Sequence, residues 1–373
     1  MDYTRNDMMR SVRRLAIVCV FSTVSGWALP ARAADMPGPL AALQLGLATA
    51  TLHAPGNVAV EVKDLATGYE TAIHASANMP AASTIKIPVM VEVFRQMELG
   101  RFDLNKILHV QPHDRDWGWG DLADARTGTK RTVAQLLRLM ITESDNTATN
   151  MLIRLVGRTH INQTMQSLGL RNTHLGDDIR SEGDIRSLRS SPSDMVQLLE
   201  SMARARLIDE WSSHEMLSIL QGQHHNGLIP QPLPRGLEIA HKTGTLHDTL
   251  NDVGIVYLAN EPYIIAVMTT HLPSLDLGRR FIRRVSRLAF ASFERFASWR
   301  MGEGLPGFRS DAAAAAHPLV PSDAQMWLGG SGTAAPPNAA PASPGGADLP
   351  GTGGVPVSPA APAAPDPPAS ESP

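Results

Sequence analysis

The sequence predicts an α+β sandwich, because strand-like segments stand toward both ends of the chain and helical segments fill the stretch between them. Alternation makes Asn57 to Val62 a strand, Gly68 turns it, and Tyr69 to His74 returns, forming an N-terminal hairpin. Glu238 to Lys242, Asp252 to Leu258 and Tyr263 to Thr269 read as three short strands, followed by a helix across Leu277 to Trp299. One antiparallel sheet that collects the strands of both ends accommodates all of them.

The helical stretch carries its own punctuation. A helix begins near Ser83 and runs through Val89, Val91 and Phe94 to a stop at Gly100. A second starts at Thr132, which stands at capping-box spacing from Gln135 ahead of Leu136, Leu137, Leu139 and Met140. A third follows Asn146 and ends near Gly157.

Outside residues 34–310, read as one folded domain, the composition changes. Arg10, Arg13 and Arg14 precede an apolar run from Leu15 to Leu29, and Ala31-Arg32-Ala33 has the small-x-small cleavage pattern, so residues 1–33 read as a secretory signal peptide. The run of about 15 residues falls short of the roughly 20 that a membrane span requires. The expectation is a periplasmic or secreted monomer without a transmembrane segment after cleavage. Cleavage after Ala33 removes Cys19, the single cysteine, and with it thiol catalysis and cysteine-ligated zinc. Residues 311–373 hold 17 Ala, 14 Pro and 8 Gly, too few apolar side chains to offset ordering, and read as a disordered tail.

The formal net charge of −3 combines an N-terminal segment rich in Arg with a tail that has neither Lys nor Arg. The part between them is close to neutral, which leaves no electrostatic footprint for nucleic acid.

Three short motifs carry chemistry. In Met79-Pro80-Ala81-Ala82-Ser83-Thr84-Ile85-Lys86 a helix that opens at Ser83 puts Lys86 three residues on, on the same face, within reach of the Ser83 hydroxyl for proton exchange. Ser144-Asp145-Asn146 stands between two helices, where the hydroxyl can relay a proton and the amide can bind a carbonyl. Lys242-Thr243-Gly244-Thr245 ends a strand with groups suited to a carboxylate and a glycine that permits close backbone approach. Singly, each has a plain alternative: a chance spacing, a helix N-cap on Asp145 or Asn146, and a turn.

Together and in this order, the motifs resemble the penicillin-recognising serine hydrolases, in particular the class A β-lactamases, over residues 38 to 300 or so. The resemblance implies an antiparallel sheet flanked by helices, an all-helical subdomain, and an active site between them. It implies that Ser83 is the nucleophile, Lys86 its proton partner and Ser144 a relay toward the leaving nitrogen. Asn146 would bind a substrate amide, Lys242, Thr243 and Thr245 its carboxylate, and the backbone N–H groups of Ser83 and Thr245 an oxyanion. Trp117 and Trp119 lie where the family places an aromatic at the pocket mouth, so one of them is expected to stack on substrate or to cover the rim.

The family also carries a Glu on a loop ahead of a Ser/Thr-Pro helix start, here Ser191-Pro192, and uses it to activate the deacylating water. The corresponding loop, Leu170 to Arg186, contains no Glu-x-x-x-Asn. Its acids are Asp177, Asp178, Glu182 and Asp184, with Glu182 the candidate base on chemical type and surface ion pairing the alternative. No metal or cofactor is expected: His224-His225 lacks a His-x-His-x-Asp pattern, and His214-Glu215 is followed by Ser218 where a zincin helix needs its second His. Three readings result: a β-lactam hydrolase with altered deacylation, a D-alanyl-D-alanine peptidase or other cell-wall serine amidohydrolase, and a non-catalytic scaffold. Five polar groups converging on one cleft argue against the scaffold.

Overall fold

A computed structural model describes residues 37–180 and 187–302. The expectations for residues 1–33 and 311–373, and for Glu182 and Asp184, lie outside the described residues.

Helix α1 (Gly38–Leu52) leads into the hairpin of β1 (Asn57–Asp64) and β2 (Glu70–Ile73), with Gly68 at φ +77° in the turn. A short strand β3 (Met79–Pro80) precedes a 3₁₀ turn over Ala82–Ile85, which continues as α2 (Lys86–Glu98). The expected helix is therefore present, but Ser83 stands in the tighter turn ahead of it. Strands β4 (Ile107–His109) and β5 (Lys130–Thr132) pair as a small ribbon. Helix α3 (Val133–Thr142) follows, capped reciprocally by Thr132 and Gln135 as their spacing predicts.

Helices α4 (Asn146–Val156) and α5 (Arg158–Ser167) meet at Gly157, whose φ of +87° ends the first. Strands β6 (His174–Leu175) and β7 (Leu188–Ser190) pair, and β7 also pairs β3. Helix α6 (Pro192–Ala203) starts with Ser191 as N-cap and proline at the first position, as Ser191-Pro192 predicts. Then come α7 (Glu210–Gln221), β8 (Ile239–Thr245), β9 (Leu250–Val256), β10 (Tyr263–Thr270) and α8 (Leu275–Gly302).

The main sheet has the antiparallel order β2-β1-β10-β9-β8, which brings the strands of both chain ends together as expected. Period-two alternation then divides each strand between two cores. Tyr263, Ile265 and Val267 of β10 pack with Leu40, Leu43 and Leu47 of α1 and Ile282, Val285 and Phe293 of α8. Ile264, Ala266 and Met268 pack on the other face against the helices of the middle of the chain, around Ile85, Met90, Met140 and Leu199. Coverage of both faces explains why β10 is buried at every position rather than at alternate ones. The helical layer covers this face of the sheet, and the three motifs lie where it borders β8, the edge strand.

Candidate active site

Ser83 is positioned from three sides. Pairing of β3 with β7, and an Ala81 N–H bond to the Leu188 carbonyl, hold the approach. From β9, Asn251 Nδ2 donates to the carbonyls of Pro80 (2.8 Å) and Ala81 (3.1 Å). Ala82 adopts φ +48°, a left-handed conformation that costs an alanine energy and marks a constrained turn. From β8, Gly244 closes the arrangement: a Cβ there would lie 2.9 Å from Ala81 O and 3.1 Å from Ser83 N. Only glycine lets the strand edge come this near the Ser83 amide.

Ser144 also has a left-handed backbone, at φ +58°, in the tight connection between α3 and α4. Asp145 takes the capping task, accepting from Ala148 N at 2.7 Å and from Leu122 N at 2.6 Å. This settles which residue caps α4 and leaves the Asn146 side chain for other work. Gly120 is obligatory beside the cap, since a Cβ there would sit 2.4 Å from Asp145.

Two lysines converge on the Ser144 hydroxyl. Lys86 Nζ lies 3.1 Å from Ser144 Oγ, 2.6 Å from Ser144 O and 2.8 Å from Asn146 Oδ1. Lys242 Nζ lies 3.1 Å from the same Oγ and 3.1 Å from Thr243 O. Both side chains are fully buried. Burial holds Lys86 well below the ordinary lysine range, the nearby Lys242 charge adds to the effect, and Asp145 and Asp116 oppose it. Burial likewise brings Lys242 down to about 7, against the pull of Asp252. The structure thus brings Lys86 to Ser144 and Asn146; its hydrogen bonds do not run to Ser83.

Asn146 is 8% exposed, and its Nδ2 donates to Asp116 Oδ2 at 2.5 Å, so one of its two amide protons remains for a ligand. Behind β8, His241 bonds Asp252 (2.9 Å) and Asn226 (2.9 Å), tying the strand next to Lys242 to the loop over residues 226–230.

These groups open on a cavity of about 550 Å³, a size that suits a small ligand. Ser83, Ser144, Asn146, Thr243 and Thr245 line it, as expected of the motif residues. Trp119 stands at the mouth, its indole N–H donating to Glu143 O (3.0 Å) and its ring 5.9 Å from that of His225. Trp117 does not line the cavity; it is 67% exposed with the Arg115 guanidinium 4.0 Å over its ring, which holds it outside. Of the two tryptophans, the one at the mouth is therefore Trp119.

Of the acids in the loop ahead of α6, Asp177 and Asp178 lie among the described residues. Asp177 pairs with Arg158 at 3.1 Å, and Asp178 lies 3.8 Å from Arg180. Among the described residues that line the cavity there is no carboxylate. What the loop presents is Ile179, 4% exposed, followed by Arg180. His225, Arg279 and Arg283 line the cavity too. Sequence reasoning missed Ile179 and these three, because tertiary packing alone carries them there; for Ile179 the clue available was the absence of a Glu-x-x-x-Asn in its loop.

The beta-lactamase enzyme family matches this chain over residues 46–293. Among solved structures, a beta-lactamase from Sphaerobacter thermophilus is 29% identical, with a TM-score of 0.62, over 69% of this chain and 97% of that one. PBP-A is 30% identical, with a TM-score of 0.64, over 68% and 96%. A PBP-A variant with glutamate in place of a leucine, solved as its acyl-enzyme complex with penicillin G, is 29% identical, with a TM-score of 0.64, over 69% and 97%.

Proposed function

The chain belongs to the beta-lactamase enzyme family and is a serine hydrolase resembling class A β-lactamases; on that premise we propose that it opens β-lactams through an acyl-enzyme on Ser83 whose hydrolysis is the slow step. The observation that carries this reading is Ile179: where the family's loop supplies a base, an aliphatic side chain meets the cavity.

The acylation half has its parts. Ser83 Oγ adds to the ring carbonyl while its proton leaves toward Lys86, whose burial favours the neutral amine with a free lone pair. The developing oxyanion falls between the N–H groups of Ser83 and Thr245, which the close approach of Gly244 supports. The C–N bond breaks, the nitrogen takes the Ser144 proton, and the flanking lysines replace it. Lys242, Thr243 and Thr245 hold the carboxylate, and Asn146 a side-chain carbonyl.

The hydrolysis half lacks a base among the described lining residues. Loss of one general base costs about 10²- to 10⁴-fold in rate. A cell-wall peptidase of the same fold, which a β-lactam acylates and stalls, rests on the same feature. Export through residues 1–33 would place either activity outside the cytoplasm.

A fluorescent penicillin offered to the full chain and to its Ser83→Ala variant tests the reading. Labelling of the first and not of the second is expected; no labelling of either overturns it.

A further inference from the structure

Helix α8 carries Arg279, Arg280, Arg283, Arg284 and Arg287 within its first half, and from Arg279 to Arg287 there is no acid. They do not form one patch. Arg279, Arg283 and Arg287 follow each other at i, i+4 and i+8, and each step turns the row about 40° round the helix. Arg279 and Arg283 are half-buried and line the cavity, whereas Arg287 is exposed on the solvent face. The row therefore starts inside the pocket and climbs out of it over about 12 Å. Arg280 and Arg284 lie beside it, both exposed.

The partners of these groups leave most of their donors unused. Arg279 pairs with Asp276, a surface pair worth little, and Arg283 spends its Nε on the Gly227 carbonyl at 2.9 Å. Each guanidinium has five donors. No hydrogen bond or ion pair joins Arg280, Arg284 or Arg287 to another described residue.

We propose that the Arg279-Arg283-Arg287 row binds an acidic peptide in extended form, whose end enters the cavity and whose carboxylates continue outward along α8. Guanidinium groups one i, i+4 step apart are spaced about 6 Å along the axis. Carboxylates on alternate residues of an extended peptide recur every 6.6 Å or so, so consecutive pairs meet in register. A bilayer surface fits less well, because a plane of headgroups does not reach the two arginines inside the concavity. The inference builds on the cavity being the substrate site but does not need Ser83 to react.

Calorimetry on the full-chain Ser83→Ala protein tests it apart from acylation, using a synthetic peptide with glutamates at alternate positions and its glutamine counterpart. The acidic peptide is expected to bind and the glutamine peptide not. Arg283→Gln with Arg287→Gln should weaken binding by 10-fold or so and make it less sensitive to salt, while Arg280→Gln with Arg284→Gln leaves both nearly unchanged. Arg287→Glu alone, an exposed change with no packing role, should also weaken binding. In the wild type the acidic peptide should slow labelling by a fluorescent penicillin. Equal losses from both double variants, binding without slowed labelling, or preference for phosphatidylglycerol vesicles over the peptide would each overturn the proposal.

Discussion

Asn150 closes both ends of the Ile179 peptide: its Oδ1 accepts from Ile179 N at 2.8 Å and its Nδ2 donates to Ile179 O at 2.9 Å. A third bond, to Asp114 O at 3.1 Å, anchors the amide to the segment that carries Asp116. The loop is thus held by its backbone, through bonds that do not involve the side chain at 179.

It follows that Ile179→Glu places a carboxylate in the cavity on an existing support. Deacylation of a penicilloyl adduct should speed up by about 10²- to 10⁴-fold, read as turnover of a chromogenic cephalosporin. An unchanged deacylation rate in a folded variant would show that the base acts from elsewhere.

The shared hydroxyl of Ser144 makes acylation depend on pH. With Lys242 at about 7, its charge is present below that pH and lost above it. The second-order acylation rate for a carboxylate-bearing penicillin should therefore fall as pH rises through about 7. A rate that stays level to pH 9 would separate Lys242 from carboxylate binding.

Gly244→Ala tests the seam between sheet and helical layer. Its methyl group would press on Ala81 O and the Ser83 amide, both backbone, so the strand has to move away. Acylation should drop at least 10-fold or so, since a 1 Å misplacement alone can cost about 10². Wild-type labelling kinetics from this variant would deny Gly244 its role.

Glu61 offers a stability test away from the cavity. Burial, reinforced by Glu70, pushes its carboxyl up to about 7, with Lys63 opposing. The folded state binds this proton more tightly than the unfolded one, so stability falls as pH rises from about 4.5 to about 7. Glu61→Gln removes the buried charge and should raise stability at pH 8, by the order of 2 kcal/mol, with little gain at pH 4. Melting temperatures at the two pH values decide it.

What was legible in the sequence was local. The Thr132–Gln135 box and the Gly68 turn are written in neighbouring residues, and each appears where the spacing put it, whereas Ser83 falls in the 3₁₀ turn ahead of α2 and Lys86 bonds Ser144 and Asn146. Helix α1 was not, because Leu45 and Leu52 are exposed and blur the stripe of Leu40, Leu43 and Leu47. Asp145 and Asn146 are equally good caps by type, and only the fold, through Leu122 N and Lys86, separates their tasks. Trp117 and Trp119 differ by two positions and share one character, yet Arg115 keeps the first outside. Arg279 and Arg283 come from a segment read only as a helix across Leu277 to Trp299, and no short motif ties them to Ser83.

The most direct measurement is intact-protein mass spectrometry over time after mixing the full chain with excess penicillin. The account predicts an adduct on Ser83 that forms and then persists while little antibiotic is consumed. Rapid loss of the adduct with many turnovers would contradict it and would place an effective base within reach of the acyl carbonyl.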